Sequence, residues 1–189
     1  EPMNRRSHFF FALELPQACK RELNDWAART REVYSFKTWV HPEDYHITLA
    51  FLGAAEEEKL KKACELIAER KKGFGSLLIQ IKGLGTFGQK NSPRILWADA
   101  EETKVMLPVR RMVYDACLEA GFELDTKPFV PHITLARRSR NNIEPESMIE
   151  WGRQLPAIEQ QKINQIVLYR TDTEKLPKYE PIARFTLEE

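Results

Sequence analysis

One pentapeptide, HITLA, occurs twice in this chain, at residues 46–50 and at residues 132–136. The chain contains four histidines, and two of them, His46 and His132, open the two copies. Chance would rarely repeat five residues of such mixed chemistry in a chain of this composition. The repeat therefore indicates an internal duplication around which the rest of the chain is organised.

Each copy has the composition of a β-strand with two different faces. Ile, Thr and Leu favour extended structure, in which successive side chains point to opposite faces. His46 and Thr48 then share one face, and His132 and Thr134 share the equivalent face of the second strand. The opposite faces are apolar and can be buried. Two imidazoles allow one to take a proton while the other gives one, as hydrolysis near neutral pH requires.

Hydrophobic periodicity divides the rest of the chain into short strands and amphipathic helices. Strands are predicted at residues 9–15, 36–40, 46–52, 76–82, 94–98, 132–136, 163–169 and 179–187. Helices are predicted at residues 16–31, 56–72, 104–120 and 145–154. Gly83, Gly85 and Gly88 are expected to break the region that follows the fourth of these strands.

The order of strand, helix, HITLA strand, helix and strand occurs twice along the chain. This order predicts an internally duplicated, bilobal α+β fold, with two mainly antiparallel sheets flanked by helices. The two HITLA strands would face each other across a cleft between the lobes. A doubly wound parallel sheet is disfavoured, because no glycine-rich phosphate loop follows the first strand.

Length and composition are those of one globular unit, and we expect a single two-lobed domain over residues 3–189. Glu1 and Pro2 precede Met3 and are expected to be a remnant of expression cloning. Three widely spaced cysteines without a C-x-x-C pair fit reduced thiols in the cytoplasm. The longest apolar run is too short to cross a membrane. Nothing in the sequence requires an assembly larger than a monomer.

Paired H-x-T motifs in a duplicated α+β chain resemble the two-histidine phosphoesterases, and among them the RNA 2′,3′-cyclic phosphodiesterases, also called 2′-5′ RNA ligase-like proteins. Several further segments carry this resemblance, which spans nearly the whole chain. They are FFFAL at residues 9–13 with Pro16, Trp39, HITLAFLG at 46–53, PRILW at 93–97, PHITLAR at 131–137 and the tail at 179–187.

The resemblance implies hydrolysis of the 2′,3′-cyclic phosphate at the end of an RNA, tRNA fragments included, to a 2′-phosphomonoester. It implies no metal, no other cofactor and no membrane partner. It assigns His46 as the proton donor and His132 as the proton acceptor, with Thr48 and Thr134 on the phosphate oxygens. Opening a cyclic diester is an in-line displacement, which needs an acid and a base on opposite sides of the phosphate. Two facing strands can supply that geometry.

The phosphate charge also needs a cation or other donors. The motif match selects Arg137, whereas strict strand alternation puts Arg137 opposite His132 and Arg138 on the same face. A bulge could resolve this conflict. The basic run at residues 137–140 is either a solvated loop or a track for RNA phosphates. Aromatic rings near the cleft can stack an unpaired base, and Phe9 and Trp39 are the candidates.

Two other functions use the same motifs. The reverse reaction, attack by a 5′-hydroxyl, would join RNA through a 2′-5′ linkage. A non-catalytic module that binds RNA ends or nucleotides is the second alternative, although the intact histidine pair argues against it. His41, Glu43 and Asp44 beside His46 could suggest a metal site, but the proline-containing turn between them sets no ligand geometry.

Overall fold

The computed structural model describes residues 7–100 and 103–188, so the expectation for Glu1, Pro2 and Met3 lies outside the described residues. Strands and helices alternate much as the sequence predicts. In chain order they are β1 (His8–Glu14), α1 (Gln17–Arg31), β2 (Phe36–Trp39), β3 (His46–Gly53), α2 (Glu57–Arg70), β4 (Leu77–Ile79), β5 (Ile81–Gln89), β6 (Ser92–Ala100), α3 (Thr103–Glu119), β7 (His132–Ser139), α4 (Pro145–Gln154), β8 (Gln161–Ile163), β9 (Gln165–Thr171) and β10 (Tyr179–Thr186).

The strands form two four-stranded sheets and one short pair. The first sheet has the order β10-β9-β1-β3, the second has the order β2-β7-β6-β5, and β4 pairs with β8. Neighbouring strands in these sheets are antiparallel. The predicted α+β class is therefore confirmed. The two HITLA strands, β3 and β7, lie in different sheets.

The two sheets do not coincide with the two halves of the chain. The C-terminal strands β9 and β10 complete the first sheet, while β2 from the N-terminal half joins the second sheet at β7. An isolated two-stranded ribbon is marginal in water, so β1 and β3 need further strands to make a stable layer. Strand exchange between the halves supplies them, and a reading of consecutive units could not foresee it.

The prediction that three glycines break the chain after residue 82 is wrong, because all three lie inside β5. Gly83 and Gly88 have φ values of +81° and +109° and lie at register shifts against β6. Glycine adopts this backbone region without a steric penalty, and such bulges increase strand twist. Gly85 has another role, because a Cβ there would lie 2.4 Å from the ring of Trp97.

One continuous apolar core contains residues from both four-stranded sheets and from the helices. The predicted apolar stripe of α1 is buried at Leu23, Trp26 and Ala27. A second, small cluster lies on the other face of the first sheet and consists of Phe10, Ala12, Val167 and Tyr169. Among the described residues, no helix has the length and apolar character that crossing a membrane requires.

Helix α4 packs closely on β5 at Gly152. A Cβ at this position would lie 2.8 Å from the backbone nitrogen of Leu84, which cannot move without disturbing the strand. Overpacking of this kind typically costs about 1–3 kcal/mol. We expect Gly152→Ala to lower the free energy of unfolding by about 1–2 kcal/mol, after the better helix propensity of alanine is included.

Gly73→Ala is the matched control, since a Cβ at residue 73 would have no neighbour within 4 Å. Urea unfolding of both variants tests the packing. Equal stability of the two variants would contradict the close approach of α4 to β5.

Candidate active site

The second HITLA strand contains a β-bulge at its leucine. Leu96 and Trp97 are consecutive on β6, but their partners on β7, Ala136 and Thr134, are separated by Leu135. Leu135 is thus an extra residue, and it is buried together with Ala136 next to it. A bulge interrupts alternation in this way and re-aims the residues that follow.

The bulge turns Arg137 back towards the face that carries His132. Arg137 is half-buried, and its positive charge lowers the pKa of His132 and also that of His46. Arg138 is exposed and has a φ of 60°, in the left-handed region. The geometry therefore brings Arg137, rather than Arg138, near both imidazoles, and it removes the conflict that strict alternation predicts.

The first HITLA strand has the same bulge at the equivalent leucine. Phe11 and Ala12 are consecutive on β1, while their partners on β3, Ala50 and Thr48, are separated by Leu49. The burial pattern of the five HITLA residues is identical in the two strands. The duplication therefore extends from the sequence to an irregular detail of the backbone.

Phe51 occupies the position in the first copy that Arg137 occupies in the second. Its side chain is 57% exposed, and it lines a cleft together with Thr48 and His132. The two copies thus offer matched His-Thr pairs but different residues after the bulge. One side of the site is apolar and the other is cationic.

Local backbone geometry sets the same tautomer in both histidines. Nδ1 of His46 donates to the carbonyl of Asp44 at 2.8 Å, and Nδ1 of His132 donates to the carbonyl of Val130 at 2.7 Å. Each Nε2 then keeps a lone pair. The hydroxyl of Thr48 donates to Nε2 of His46 at 2.9 Å. In their neutral form, both imidazoles therefore present a basic nitrogen.

His46 lies among aromatic rings of the first sheet. Its ring centroid is 4.8 Å from that of Phe10, 5.2 Å from that of Tyr179 and 6.1 Å from that of Tyr169. Burial lowers the pKa of His46 to about 4, and the nearby charges of Arg137 and His132 lower it further. His46 is consequently neutral in the free site near neutral pH.

His132 has a separate aromatic environment in the second sheet. Phe87 meets it edge-on at 4.9 Å between ring centroids, and Trp97 lies at 5.9 Å. Burial also lowers the pKa of His132. Gly85 admits the Trp97 ring against the backbone of β5 and thereby supports this environment.

A buried carboxylate connects the first HITLA strand with the C-terminal strands. Asp44 is 3% exposed and accepts hydrogen bonds from the backbone N–H groups of Lys178 at 3.0 Å and Tyr179 at 3.1 Å. The same residue holds His46 through its carbonyl. Sequence reasoning placed Asp44 in a turn and missed this role, because partners more than a hundred positions away leave no local signal.

The cleft beside the histidines has a volume of about 630 Å³. Its lining includes Thr48, Phe51, Phe87, Arg110, Tyr114, Asp125, Lys127, Phe129 and His132. Of the two stacking candidates from the sequence, Phe9 packs against the main core, and Phe10 contacts His46 instead. Trp39 also packs against this core, with its ring edge-on to Phe36 at 5.6 Å.

Comparisons with known proteins agree on one family. The family model described as LigT-like phosphoesterase matches residues 13–97. An RNA 2′,3′-cyclic phosphodiesterase of Geobacillus stearothermophilus is 42% identical over 186 residues, which are 97% of this chain and 58% of that protein. An RNA 2′,3′-cyclic phosphodiesterase of Bacillus subtilis (strain 168) is 33% identical over 184 residues, or 96% of this chain and 97% of that protein.

The crystal structure of Escherichia coli LigT in apo form has the same fold. It superposes with a TM-score of 0.75 at 21% identity, and the alignment covers 97% of this chain and 98% of that chain.

The low pKa of His46 predicts a pH-dependent stability. The unfolded chain takes up the proton at an ordinary pKa near 6.5, whereas the folded chain resists it until about pH 4. Because the unfolded state then binds more protons, stability should fall as the pH drops through this window, by at most about 3 kcal/mol from this group.

Urea unfolding of the wild type and of His46→Gln at several pH values between 7.5 and 4.5 measures this contribution. The stability difference between the two proteins at pH 7.5 reports lost contacts, and its change towards pH 4.5 reports the titration. A difference that stays constant with pH would show that burial does not hold His46 neutral.

Proposed function

The chain belongs to the LigT-like phosphoesterases, a family of hydrolases, and from this premise we propose that it opens RNA 2′,3′-cyclic phosphate ends to 2′-phosphomonoesters. The observation that carries the proposal is the matched pair of histidines, His46 and His132. Both present Nε2 in the same tautomer, they belong to different sheets, and they are close enough for their charges to interact. The names of the curated relatives support this choice of substrate.

The reaction divides between the two motifs. His132 takes a proton from water at Nε2 as the water oxygen attacks phosphorus. The bond from phosphorus to the 3′ oxygen breaks, and protonated His46 gives its proton to that oxygen, which leaves the phosphate on the 2′ oxygen. Thr48 and Thr134 donate hydrogen bonds to the non-bridging oxygens. Acid and base then act on opposite sides of phosphorus, as in-line displacement requires.

The anionic substrate prepares His46 for the acid role. Burial keeps this imidazole neutral in the free site. A bound phosphate brings a negative charge beside Nε2, which raises the pKa of His46 and favours its protonated form. Thr48, which donates to Nε2 in the free site, can then turn its hydroxyl towards a phosphate oxygen. Substrate binding and protonation are thereby coupled.

Metal independence is part of the proposal, because Arg137 can neutralise the phosphoryl oxygens. Its charge acts on both histidines, so a phosphate between them would also feel it. A guanidinium can contact two phosphate oxygens at once. A preorganised donor of this kind typically contributes about 10²–10³ in rate.

Turnover of a short oligonucleotide with a 2′,3′-cyclic phosphate, in the presence of EDTA, tests the function. We expect a 2′-phosphate product, identified by phosphorus NMR, at a rate that EDTA does not reduce. His46→Ala and His132→Ala should each lose at least about 100-fold in kcat, since proton transfer by one group contributes about 10²–10⁴. His8→Ala, outside both motifs, is the control.

Wild-type binding without turnover would instead favour the non-catalytic module. A 3′-phosphate product would contradict the assigned positions of acid and base, and loss of activity in EDTA would contradict metal independence.

The two adjacent arginines of β7 allow a sharper test of the cation. Arg137→Gln should lower kcat about 10²–10³-fold, because the phosphoryl charge loses its partner. Arg138→Gln should change kcat less than about threefold, since that side chain is exposed and lies after the turn of the backbone at φ 60°. Steady-state kinetics on the same oligonucleotide distinguishes the two, and equal losses would mean that the bulge does not select Arg137.

A further inference from the structure

The cleft extends well beyond the four His and Thr side chains. On the far side of His132 it is bounded by helix α3, through Arg110 and Tyr114, and by the segment before β7, through Lys127 and Phe129. A volume of about 630 Å³ is within the range of small-molecule sites and exceeds what a cyclic phosphate alone would fill. A further part of the substrate can therefore lie there.

Arg110 is held rigidly in this wall by two aromatic rings. The carbon at the centre of its guanidinium lies 4.2 Å from the ring centroid of Tyr114 and 5.4 Å from that of Phe129. Its Nε atom is buried and has no hydrogen-bond partner within residues 7–100 and 103–188. A buried donor without a partner is costly, and a guanidinium cannot lose its charge to reduce that cost. Arg110 thus keeps donors for an anion.

The neighbouring acid of the cleft is already engaged. Asp125 accepts a hydrogen bond from the backbone N–H of Lys127 at 2.7 Å, and the ammonium of Lys127 lies 3.8 Å from its other carboxylate oxygen. The hydroxyl of Tyr114 donates to the backbone carbonyl of Asp125 at 3.1 Å. These contacts fix the segment beside Arg110 and direct the carboxylate to Lys127.

We propose that Arg110 binds the phosphate on the 5′ oxygen of the terminal nucleoside, so that the enzyme selects ends in which that oxygen is phosphorylated. The inference rests on the proposed function and specifies its substrate. With the cyclic phosphate between the two histidines, the nucleoside lies in the cleft, where Phe51 and Phe87 offer apolar surfaces. The next anion along an RNA strand is this 5′ phosphate. A guanidinium in a fixed plane suits its paired oxygens.

Two probes that differ by a single group test the assignment. The first is adenosine 2′,3′-cyclic phosphate with a free 5′-hydroxyl, and the second is the same nucleotide with a 5′-phosphate. We expect wild-type kcat/KM to be at least about tenfold higher for the second probe, the usual size of one charge-assisted contact. In Arg110→Gln the ratio of the two values should fall towards one, mainly through loss on the phosphorylated probe.

Arg111→Gln is the matched control, because Arg111 is the next residue of α3, is exposed and does not belong to the cleft lining. It should keep the wild-type ratio, and Arg110→Lys should keep part of it through the charge alone. Thermal unfolding of each variant separates a loss of contact from a loss of fold. An equal fall on both probes in a folded Arg110→Gln would indicate stacking on the base and would overturn the proposal, as would a wild-type ratio near one.

Failure of the proposed function gives a different result. If the wild type opened neither probe, calorimetric titration with adenosine 5′-phosphate and with adenosine would still measure the contact. Tighter binding of the phosphorylated ligand by the wild type, lost in Arg110→Gln, would support the subsite without the reaction. Equal binding of both ligands by the wild type would reject it.

Discussion

The architecture of the site depends on one extra residue in each HITLA strand. The bulges at Leu49 and Leu135 place two consecutive residues in the core and return the next side chain to the face of the histidines. Without the second bulge, Arg137 would point towards the apolar core, where an unpaired guanidinium is very costly. The arrangement that buries the strand thus also supplies the cation of the site.

The same two strands impose chemical order on the histidines. A carbonyl two residues before each imidazole accepts from Nδ1 and leaves Nε2 for the reaction. The carboxylate of Asp44 then ties this geometry to the C-terminal strands, where Tyr179 packs against His46. Because β9 and β10 complete the first sheet, the end of the chain holds a site whose residues lie in its first half and its middle. Stability and catalysis share these contacts.

The duplication is close in backbone geometry but unequal in chemistry. Phe51 and Arg137 occupy equivalent places after the bulges, so an apolar ring faces one side of the cleft and a guanidinium the other. Burial is also unequal, and it lowers the pKa of His46 to about 4. A symmetric scaffold can therefore bind an asymmetric substrate, with phosphate beside the cation and the nucleoside beside the rings.

The sequence by itself determined the α+β class, the element order and the pairing of each histidine with its threonine, because strand alternation and hydrophobic periodicity are local properties. It left Arg137 and Arg138 unresolved, since a bulge arises from pairing with another strand. It misjudged the glycines of β5 for the same reason, and it could not reveal the exchange of β2 and β9 between the sheets. Asp44, Phe10 and Arg110 became visible only in the tertiary structure, because their partners are distant in sequence and only packing brings them together.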